Sequence, residues 1–199
     1  KSKCMAKLYF RYGTMGSSKS AQALITKFNY EERGMRVWLV KPAADIRDGR
    51  DIVKSRIGLS APAEAIGADV DLFAVFQERE REFYDVIIAD EAQFFTPAQI
   101  DALRHIVDTY NVPVFCYGLR TDFRTKLFPG SMRLFEIADS ITELKTVCAC
   151  GNKAMVNARL AEDGTVLTQG EQILLGGNES YLPMCFKCWE KAIQKEQET

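Results

Sequence analysis

The stretch Gly13-Thr14-Met15-Gly16-Ser17-Ser18-Lys19-Ser20 follows the short apolar run Leu8-Tyr9-Phe10 and precedes a helical pattern. A strand, a glycine-containing loop and a helix in this order are typical of a loop that binds phosphate through its backbone N–H groups. The usual pattern is G-x-x-x-x-G-K-[ST], and Ser18 stands here in place of the second glycine. We therefore expect either that Ser18 adopts a backbone conformation that glycine takes more easily, or that the loop differs slightly from the usual one. The alternative is a plain strand–turn–helix unit with a lysine on its surface.

A second motif, Asp85-Val86-Ile87-Ile88-Ala89-Asp90-Glu91, is an apolar run that ends in two carboxylates. A continuous apolar run indicates a strand covered on both faces, and the carboxyl edge of a parallel sheet is where ligands bind. In this arrangement Lys19 neutralises the phosphates, Ser20 and Asp90 hold Mg²⁺, and Glu91 accepts a proton from an attacking hydroxyl. The alternative is a strand end with two solvated acids.

The residues after the two carboxylates bear on the type of reaction. An ATPase uses its second acid to orient water, whereas a kinase uses it to deprotonate a substrate alcohol. Glu91 is followed by Ala92-Gln93-Phe94-Phe95, an apolar aromatic segment with one amide, which favours a pocket that stacks a base. One of the two phenylalanines is expected to join the core instead. A P-loop ATPase and a non-catalytic nucleotide-binding or zinc-knuckle adapter remain the alternatives.

The first two-thirds of the chain alternate strand and helix patterns, and residues 42–67 are rich in loop signals. The predicted elements are strand 8–10, helix 21–33, strand 36–40, helix 71–83, strand 86–89, a helix that begins at Thr96-Pro97, and strand 112–117. This order predicts an α/β fold, a P-loop parallel sheet flanked by helices.

The C-terminal part has a different character. Cys148-x-Cys150 and Cys185-x-x-Cys188 have the residue type and grouping of a structural Cys₄ zinc site, with one Zn²⁺ per chain. Free thiols or disulfides are the alternative. Asp163-Gly164 predicts a hairpin. We therefore divide the chain into a nucleotide-binding kinase domain, 1–142, and a small zinc-ribbon-like module, 143–199.

Composition restricts the partners. The chain has 199 residues, of which 47% are hydrophobic and 27% charged, and its net charge of −1 argues against a nucleic-acid partner. Because no apolar run reaches the ~20 residues of a membrane span, no membrane partner is expected. Residues 1–7 lack the pattern of a signal peptide, which predicts a cytoplasmic location.

Taken together, these residues resemble the thymidine kinases of the zinc-containing type, which occur in bacteria and in animal cytosol. The matching stretches are GTMGSSKS at 13–20, ADIR at 44–47, SRIGLSAP at 55–62, DEAQFF at 90–95, YGLRTDF at 117–123, ELKTVCACG at 143–151 and GEQILLGGNESYLPMC at 170–185. The resemblance implies transfer of the γ-phosphate of ATP, with Mg²⁺, to the 5′-hydroxyl of thymidine or deoxyuridine. It also implies a role in nucleotide salvage, a homotetramer, and inhibition by thymidine triphosphate.

The resemblance further implies a set of site residues, with Glu91 as the catalytic base. The ATP and phosphate positions are Gly13, Thr14, Met15, Gly16, Ser17, Ser18, Lys19, Ser20, Asp45, Arg47, Asp90, Glu91, Ala92 and Gln93. The nucleoside positions are Phe123, Gln172, Ile173, Leu174, Leu175, Gly176 and Tyr181, with Met15, Phe94 and Leu119 as candidates for the apolar wall around the base methyl. In the family, the loop at Gly176-Gly177 closes over the base and is held by the zinc module.

Overall fold

The structure is a computed structural model that describes residues 5–45, 49–79, 84–172 and 180–197. Its helices are α1 (Lys19–Glu31), α2 (Leu72–Glu78), α3 (Pro97–Tyr110), α4 (Pro129–Ile137) and α5 (Phe186–Gln197), with a 3-10 turn at Ala92–Phe94. Its strands are β1 (Leu8–Tyr12), β2 (Val37–Pro42), β3 (Ile52–Lys54), β4 (Ser60–Pro62), β5 (Glu64–Ile66), β6 (Val86–Ala89), β7 (Val114–Gly118), β8 (Ser140–Glu143), β9 (Val156–Leu160), β10 (Val166–Leu167) and β11 (Ser180–Met184).

The main sheet has six strands in the order β5-β2-β6-β7-β1-β8. Every pairing in it is parallel. The central strand β6 is buried along its whole length, as a strand covered on both faces must be. Its side chains alternate between the two faces, so Ile87 and Ala89 join one apolar cluster while Val86 and Ile88 join the other. The predicted α/β fold with a parallel sheet is confirmed.

Helices cover both faces of this sheet. Helix α1 contributes Ala23 and Leu24 to one cluster, and α2, α3 and α4 supply the other. Helix α3 begins as the sequence predicts: Thr96 Oγ1 accepts a hydrogen bond from Gln99 N, the Gln99 side chain accepts one from Thr96 N, and Pro97 occupies the first turn. The parallel strands and these helices place the ends of β1, β6 and β7 at one edge.

Some boundaries differ from the prediction. Helix α2 ends at Glu78 rather than at residue 83, and residues 80–83 lie outside the described ranges. The segment 42–67, predicted as loop, contains β3, β4 and β5, which are three residues long each and too short to show alternation. Helix α4 was not predicted, because Pro129-Gly130 at its start has the composition of a turn.

The C-terminal part forms a separate sheet of three antiparallel strands, ordered β10-β9-β11. The predicted turn at Asp163-Gly164 joins β9 to β10, and Gly164 has a φ of 86°. Helix α5 follows directly after Cys185. Strand β8, which pairs with β1 in the main sheet, runs to Glu143, so the division at residues 142 and 143 stays a prediction. In the described parts of the chain, no helix is long and apolar enough to cross a membrane.

Candidate active site and metal centre

The loop at 13–20 connects β1 to α1 at the carboxyl edge of the sheet. Its lysine is buried, with 8% of Lys19 exposed, so the alternative of a surface lysine is wrong. The Nζ atom of Lys19 donates hydrogen bonds to Thr14 O at 2.7 Å and to Ser17 Oγ at 3.3 Å. Gly13 is required here, since a Cβ atom at this position would lie 2.4 Å from the carbonyl oxygen of Leu144. The ammonium group of Lys19 is therefore held inside the loop by the loop's own oxygen atoms.

Ser18 has a left-handed backbone, the first of the two predicted outcomes, with φ 61° and ψ 25°. An L-residue with a side chain is strained there by about 1 kcal/mol, whereas glycine is not. We expect Ser18→Gly to raise the free energy of unfolding by about 0.5–1 kcal/mol, measured by urea denaturation. Ser17, whose φ is not positive, provides the control, and Ser17→Gly is expected to lower stability. Equal effects of the two substitutions would contradict the prediction.

The loop and the second motif meet at one hydrogen bond. Ser20 Oγ donates to Asp90 Oδ2 at 2.8 Å, although the two residues are 70 positions apart. Only 4% of Asp90 is exposed, so this acid is not a solvated strand end. Burial, followed by the neighbouring Glu91 charge, raises the pKa of Asp90 to about 7, and the bond from Ser20 partly opposes this. The site thus holds a carboxyl group that ionises more readily when a cation is present.

This raised pKa predicts a pH dependence of stability. Between about pH 4 and pH 7 the folded protein holds a proton on Asp90 that the unfolded chain has lost, so this group makes the ligand-free protein less stable as the pH rises through that window. We expect Asp90→Asn to remove this contribution and to lose less stability than the wild type between pH 5 and pH 7.5. Thermal unfolding of both proteins without nucleotide tests this, and parallel curves would contradict it.

Glu91 is held by its neighbours in an unusual backbone conformation, with φ 51° and ψ 38°. The buried side chain of Gln93 donates a hydrogen bond from Nε2 to the Glu91 carboxylate and accepts one from Leu119 N at 3.0 Å. Gly118 makes room for this contact, because a Cβ atom there would lie 2.6 Å from Gln93 Oε1. Ala92 is buried between them. The side chain of Gln93 therefore connects the Glu91 carboxylate to the backbone just after β7 and fixes its orientation.

A cleft of about 650 Å³ opens beside the loop. One wall is formed by Met15, Gly16, Ser18, Lys19, Ser20, Ala21 and Glu91. The tip of the β3–β4 hairpin also lines this cleft, through Lys54, Ser55, Arg56, Ile57 and Gly58. Within the described residues, Lys54 and Arg56 pair with no carboxylate. The sequence analysis did not mark these two cations, because only the hairpin fold brings them to the cleft.

Asp45, which was predicted to lie near the phosphates, forms an ion pair with Lys41, a residue that the sequence analysis did not mark. The Nζ atom of Lys41 lies 3.0 Å from Asp45 Oδ2, and only 1% of the lysine side chain is exposed. Lys41 also donates to the carbonyl oxygens of Gly49 and Ile52, each at 3.1 Å. This ion pair fixes the end of β2. Arg47 lies outside the described residues.

The predicted nucleoside residues divide into two groups. Phe123 and Leu119 are buried, and Phe94 is half-buried and packs edge-on against Phe128. Phe95 is in the core, as expected for one of the two phenylalanines. Met15, Gln172 and Tyr181 are half-buried, whereas Ile173, Leu174, Leu175 and Gly176 lie outside the described residues.

Strand β9 links the C-terminal sheet to both halves of the candidate site. Asn157 Oδ1 accepts a hydrogen bond from Met15 N at 2.8 Å, and its Nδ2 donates to Thr121 O at 3.1 Å. Arg159 contacts Phe123 and Tyr181. Neither Asn157 nor Arg159 was marked by the sequence analysis, since polar residues on a short antiparallel strand usually face solvent.

The four cysteines form one cluster in which all sulfur atoms lie within 4.8 Å of one another. The Sγ atoms of Cys150 and Cys185 are 3.6 Å apart, which is too far for a disulfide bond of about 2.05 Å. Tetrahedral Zn–S bonds of about 2.3 Å separate sulfur ligands by about 3.8 Å, so the cluster fits a structural zinc ion.

The comparisons with known proteins agree with this geometry. A family model described as Thymidine kinase matches residues 6–189. Thymidine kinase of Enterobacteria phage T4 is 49% identical over 96% of this chain and 99% of its own. Thymidine kinase of Legionella pneumophila strain Philadelphia 1 is 47% identical over 91% of this chain and 88% of its own. A solved Pif1 helicase from Candida albicans has a TM-score of 0.43, with 14% identity over 71% of this chain and 36% of that one. By the family match and these two relatives, the chain is an enzyme of the thymidine kinase family.

Proposed function

We propose that this enzyme transfers the γ-phosphate of ATP to the 5′-hydroxyl of thymidine and so supplies thymidine monophosphate for DNA synthesis by salvage, and that it accepts deoxyuridine in the same way. The observation that supports this most strongly is the hydrogen bond from Ser20 to the buried Asp90, which joins the loop to the second motif next to Glu91. The family to which the chain belongs supports the nucleoside as acceptor.

On the donor side, the backbone N–H groups of residues 13–20 and the ammonium group of Lys19 bind the phosphates. Mg²⁺ prefers oxygen ligands and is usually held by one or two carboxylates together with substrate phosphates. The hydroxyl of Ser20 and the carboxylate of Asp90, which are in contact, fit that preference. Bound there, the ion would neutralise phosphate charge. Asp45 and Arg47 are proposed to act nearby, with Lys41 fixing Asp45.

On the acceptor side, Glu91 removes the proton of the 5′-hydroxyl as its oxygen bonds to the γ-phosphorus. The bond from that phosphorus to the oxygen it shares with the β-phosphate breaks, and ADP leaves with the electron pair. Gln93 keeps the Glu91 carboxylate directed at the cleft through its bridge to Leu119 N. Of the described residues, Met15, Phe94, Leu119, Phe123, Gln172 and Tyr181 are proposed to contact the nucleoside.

The hairpin cations provide a further prediction. Because Arg56 and Lys19 line the same cleft, we propose that the Arg56 guanidinium stabilises charge on the transferred phosphoryl group. We expect Arg56→Ala to lower kcat/KM for Mg·ATP by about 10- to 100-fold and Arg56→Lys to retain part of the activity. Arg33→Ala, an exposed arginine at the end of α1, is the control and should change this value by less than about twofold. Equal activity of the Arg56 and Arg33 variants would contradict the role.

The proposed reaction is tested by ADP formation from Mg·ATP with and without thymidine, in parallel with other nucleosides. Strong stimulation by thymidine, with thymidine monophosphate as product, is the expected result. ADP release that ignores the nucleoside would point to an ATPase, and binding without turnover would point to a nucleotide-binding adapter.

We also propose that the enzyme forms a homotetramer and is inhibited by thymidine triphosphate, as the family resemblance implies. The exposed apolar side chains of Ile25 and Phe28 on α1, 46% and 58% accessible in the single chain, support an assembly surface on that helix. Light scattering of the purified protein, with and without thymidine triphosphate, measures the mass directly.

A further inference from the structure

Arg159 on β9 has the largest fully buried side chain among the described residues, with 1% of it exposed. Its Nε donates a hydrogen bond to the hydroxyl of Tyr181 at 2.8 Å. Its two terminal nitrogens donate to the backbone carbonyl oxygens of Glu171, at 2.9 Å, and Gln172, at 3.3 Å. The guanidinium also lies over the ring of Phe123, with its carbon 3.8 Å from the ring centroid. One side chain therefore touches three separate segments of the chain.

Burying a guanidinium destabilises the fold unless its N–H donors are hydrogen-bonded, so the burial of Arg159 calls for a structural or functional reason. The planar fork of arginine fixes the direction of each hydrogen bond, and stacking of the guanidinium on an aromatic face adds a further attraction. These bonds determine where the Phe123 ring, the Tyr181 hydroxyl and the backbone of Glu171 and Gln172 lie relative to one another. A second contact reinforces the arrangement, because Gln172 Nε2 donates to Asp122 Oδ2 at 3.0 Å.

We propose that Arg159 is the positioning residue of the nucleoside site. It holds Phe123, Tyr181 and the chain at Glu171 and Gln172 in the one arrangement that receives the nucleoside, without entering the phosphoryl transfer. The inference rests on the proposed function, since Phe123, Gln172 and Tyr181 are the nucleoside contacts proposed there. The donor side depends on other contacts, those of Lys19 and of Ser20 with Asp90.

This division predicts a selective kinetic effect. We expect Arg159→Lys to raise KM for thymidine by about 10- to 100-fold, because lysine keeps the charge but loses the fork and the planar stacking. KM for ATP is expected to change by less than about threefold, since the phosphate loop keeps its own contacts. Tyr181→Phe, which removes a single hydrogen bond at the same centre, should raise KM for thymidine by about 5- to 10-fold. A general loss of folding would instead lower the amount of active enzyme, and so the apparent kcat, while leaving both KM values near those of the wild type.

The chain offers a matched control in Arg11 on β1. Its Nη1 donates to the hydroxyl of Tyr117 at 2.9 Å, and its guanidinium lies 5.1 Å from the centroid of the Phe115 ring. Like Arg159, it donates a hydrogen bond to a tyrosine hydroxyl and lies over an aromatic ring. Its partners, however, are on the neighbouring strand β7 of the main sheet. Arg11→Lys is expected to leave KM for thymidine within about twofold of the wild type.

The experiment measures both KM values for the wild type, Arg159→Lys, Arg159→Ala, Tyr181→Phe and Arg11→Lys, and thymidine binding by calorimetry. Added methylguanidinium should restore part of the thymidine affinity of a folded Arg159→Ala protein. If Arg159→Ala does not fold, the KM values of Arg159→Lys and Tyr181→Phe test the inference. Unchanged thymidine KM in both, in an enzyme that phosphorylates thymidine, would overturn the inference alone. A wild type that phosphorylates no nucleoside would instead overturn the proposed function, and the inference with it.

Discussion

Replacing Glu91 by glutamine is expected to lower kcat for thymidine phosphorylation by about 10²- to 10⁴-fold, the usual contribution of a positioned general base. Glutamine has nearly the same shape and can still accept the hydrogen bond that Gln93 donates at this position. It cannot take up the proton of the 5′-hydroxyl. Binding of ATP and of thymidine should therefore stay within about threefold of the wild type, and the loss should fall on kcat.

The control for this substitution is Glu136→Gln on α4, which makes the same chemical change in an exposed ion pair with Arg133. Activity of that variant is expected to stay within about twofold of the wild type. A pre-steady-state measurement of product formation separates chemistry from product release. If Glu91→Gln keeps near-full activity under these conditions, another group accepts the proton and the assignment of Glu91 as base is wrong.

Strong local patterns predicted much of the sheet and of its phosphate loop. The uninterrupted apolar run of β6 indicates burial on both faces without reference to any other segment, and the structure buries all of it. At Ser18, which stands where the loop pattern has glycine, the first of the two predicted outcomes is confirmed: its backbone is left-handed, a conformation that glycine takes more easily. The cysteine spacing predicted the four-sulfur cluster for a similar reason, since few other arrangements use that grouping.

Contacts between distant segments were the part that could not be predicted. Four consecutive residues of β9, from Val156 to Arg159, are buried, although the strand contains an asparagine and an arginine. Their burial depends on the loops that follow β7 and on the phosphate loop, which lie far away in the sequence. The burial that raises the pKa of Asp90 likewise arises only when the carboxyl edge of the sheet has folded, and the sequence around Asp90 does not indicate it.

The start of helix α4 has a local sequence signal that fits two structures, and the sequence analysis made no prediction there. Pro129-Gly130 has the composition of a turn, but proline is also favoured in the first turn of a helix. The glycine is required by packing, since a Cβ atom on Gly130 would lie 2.5 Å from the carbonyl oxygen of Phe95. Gly130 therefore allows the first turn of α4 to pack closely against the 3-10 turn at Ala92–Phe94.

Substituting Cys185 by serine is expected to abolish zinc binding and to unfold the C-terminal sheet. Structural zinc sites of this kind contribute on the order of 10 kcal/mol to folding, and a serine hydroxyl is a poor replacement for a thiolate. Cys185 lies between β11 and α5, and its Sγ accepts a hydrogen bond from Cys188 N at 3.4 Å. Elemental analysis should find one zinc per chain in the wild type and well below that in the variant, with a large drop in melting temperature.

Because β11 ends at Met184, next to this cysteine, loss of zinc should affect the proposed nucleoside site through Tyr181 and its hydrogen bond to Arg159. Cys116→Ala provides the matched control: Cys116 is buried in the main sheet, away from the cluster, so that variant loses packing but keeps its zinc. Titrating the wild type with a chelator should then raise KM for thymidine in step with zinc loss, before ATP binding weakens. Zinc-free protein that remains fully folded, with an unchanged KM for thymidine, would show that the metal does not hold this site together.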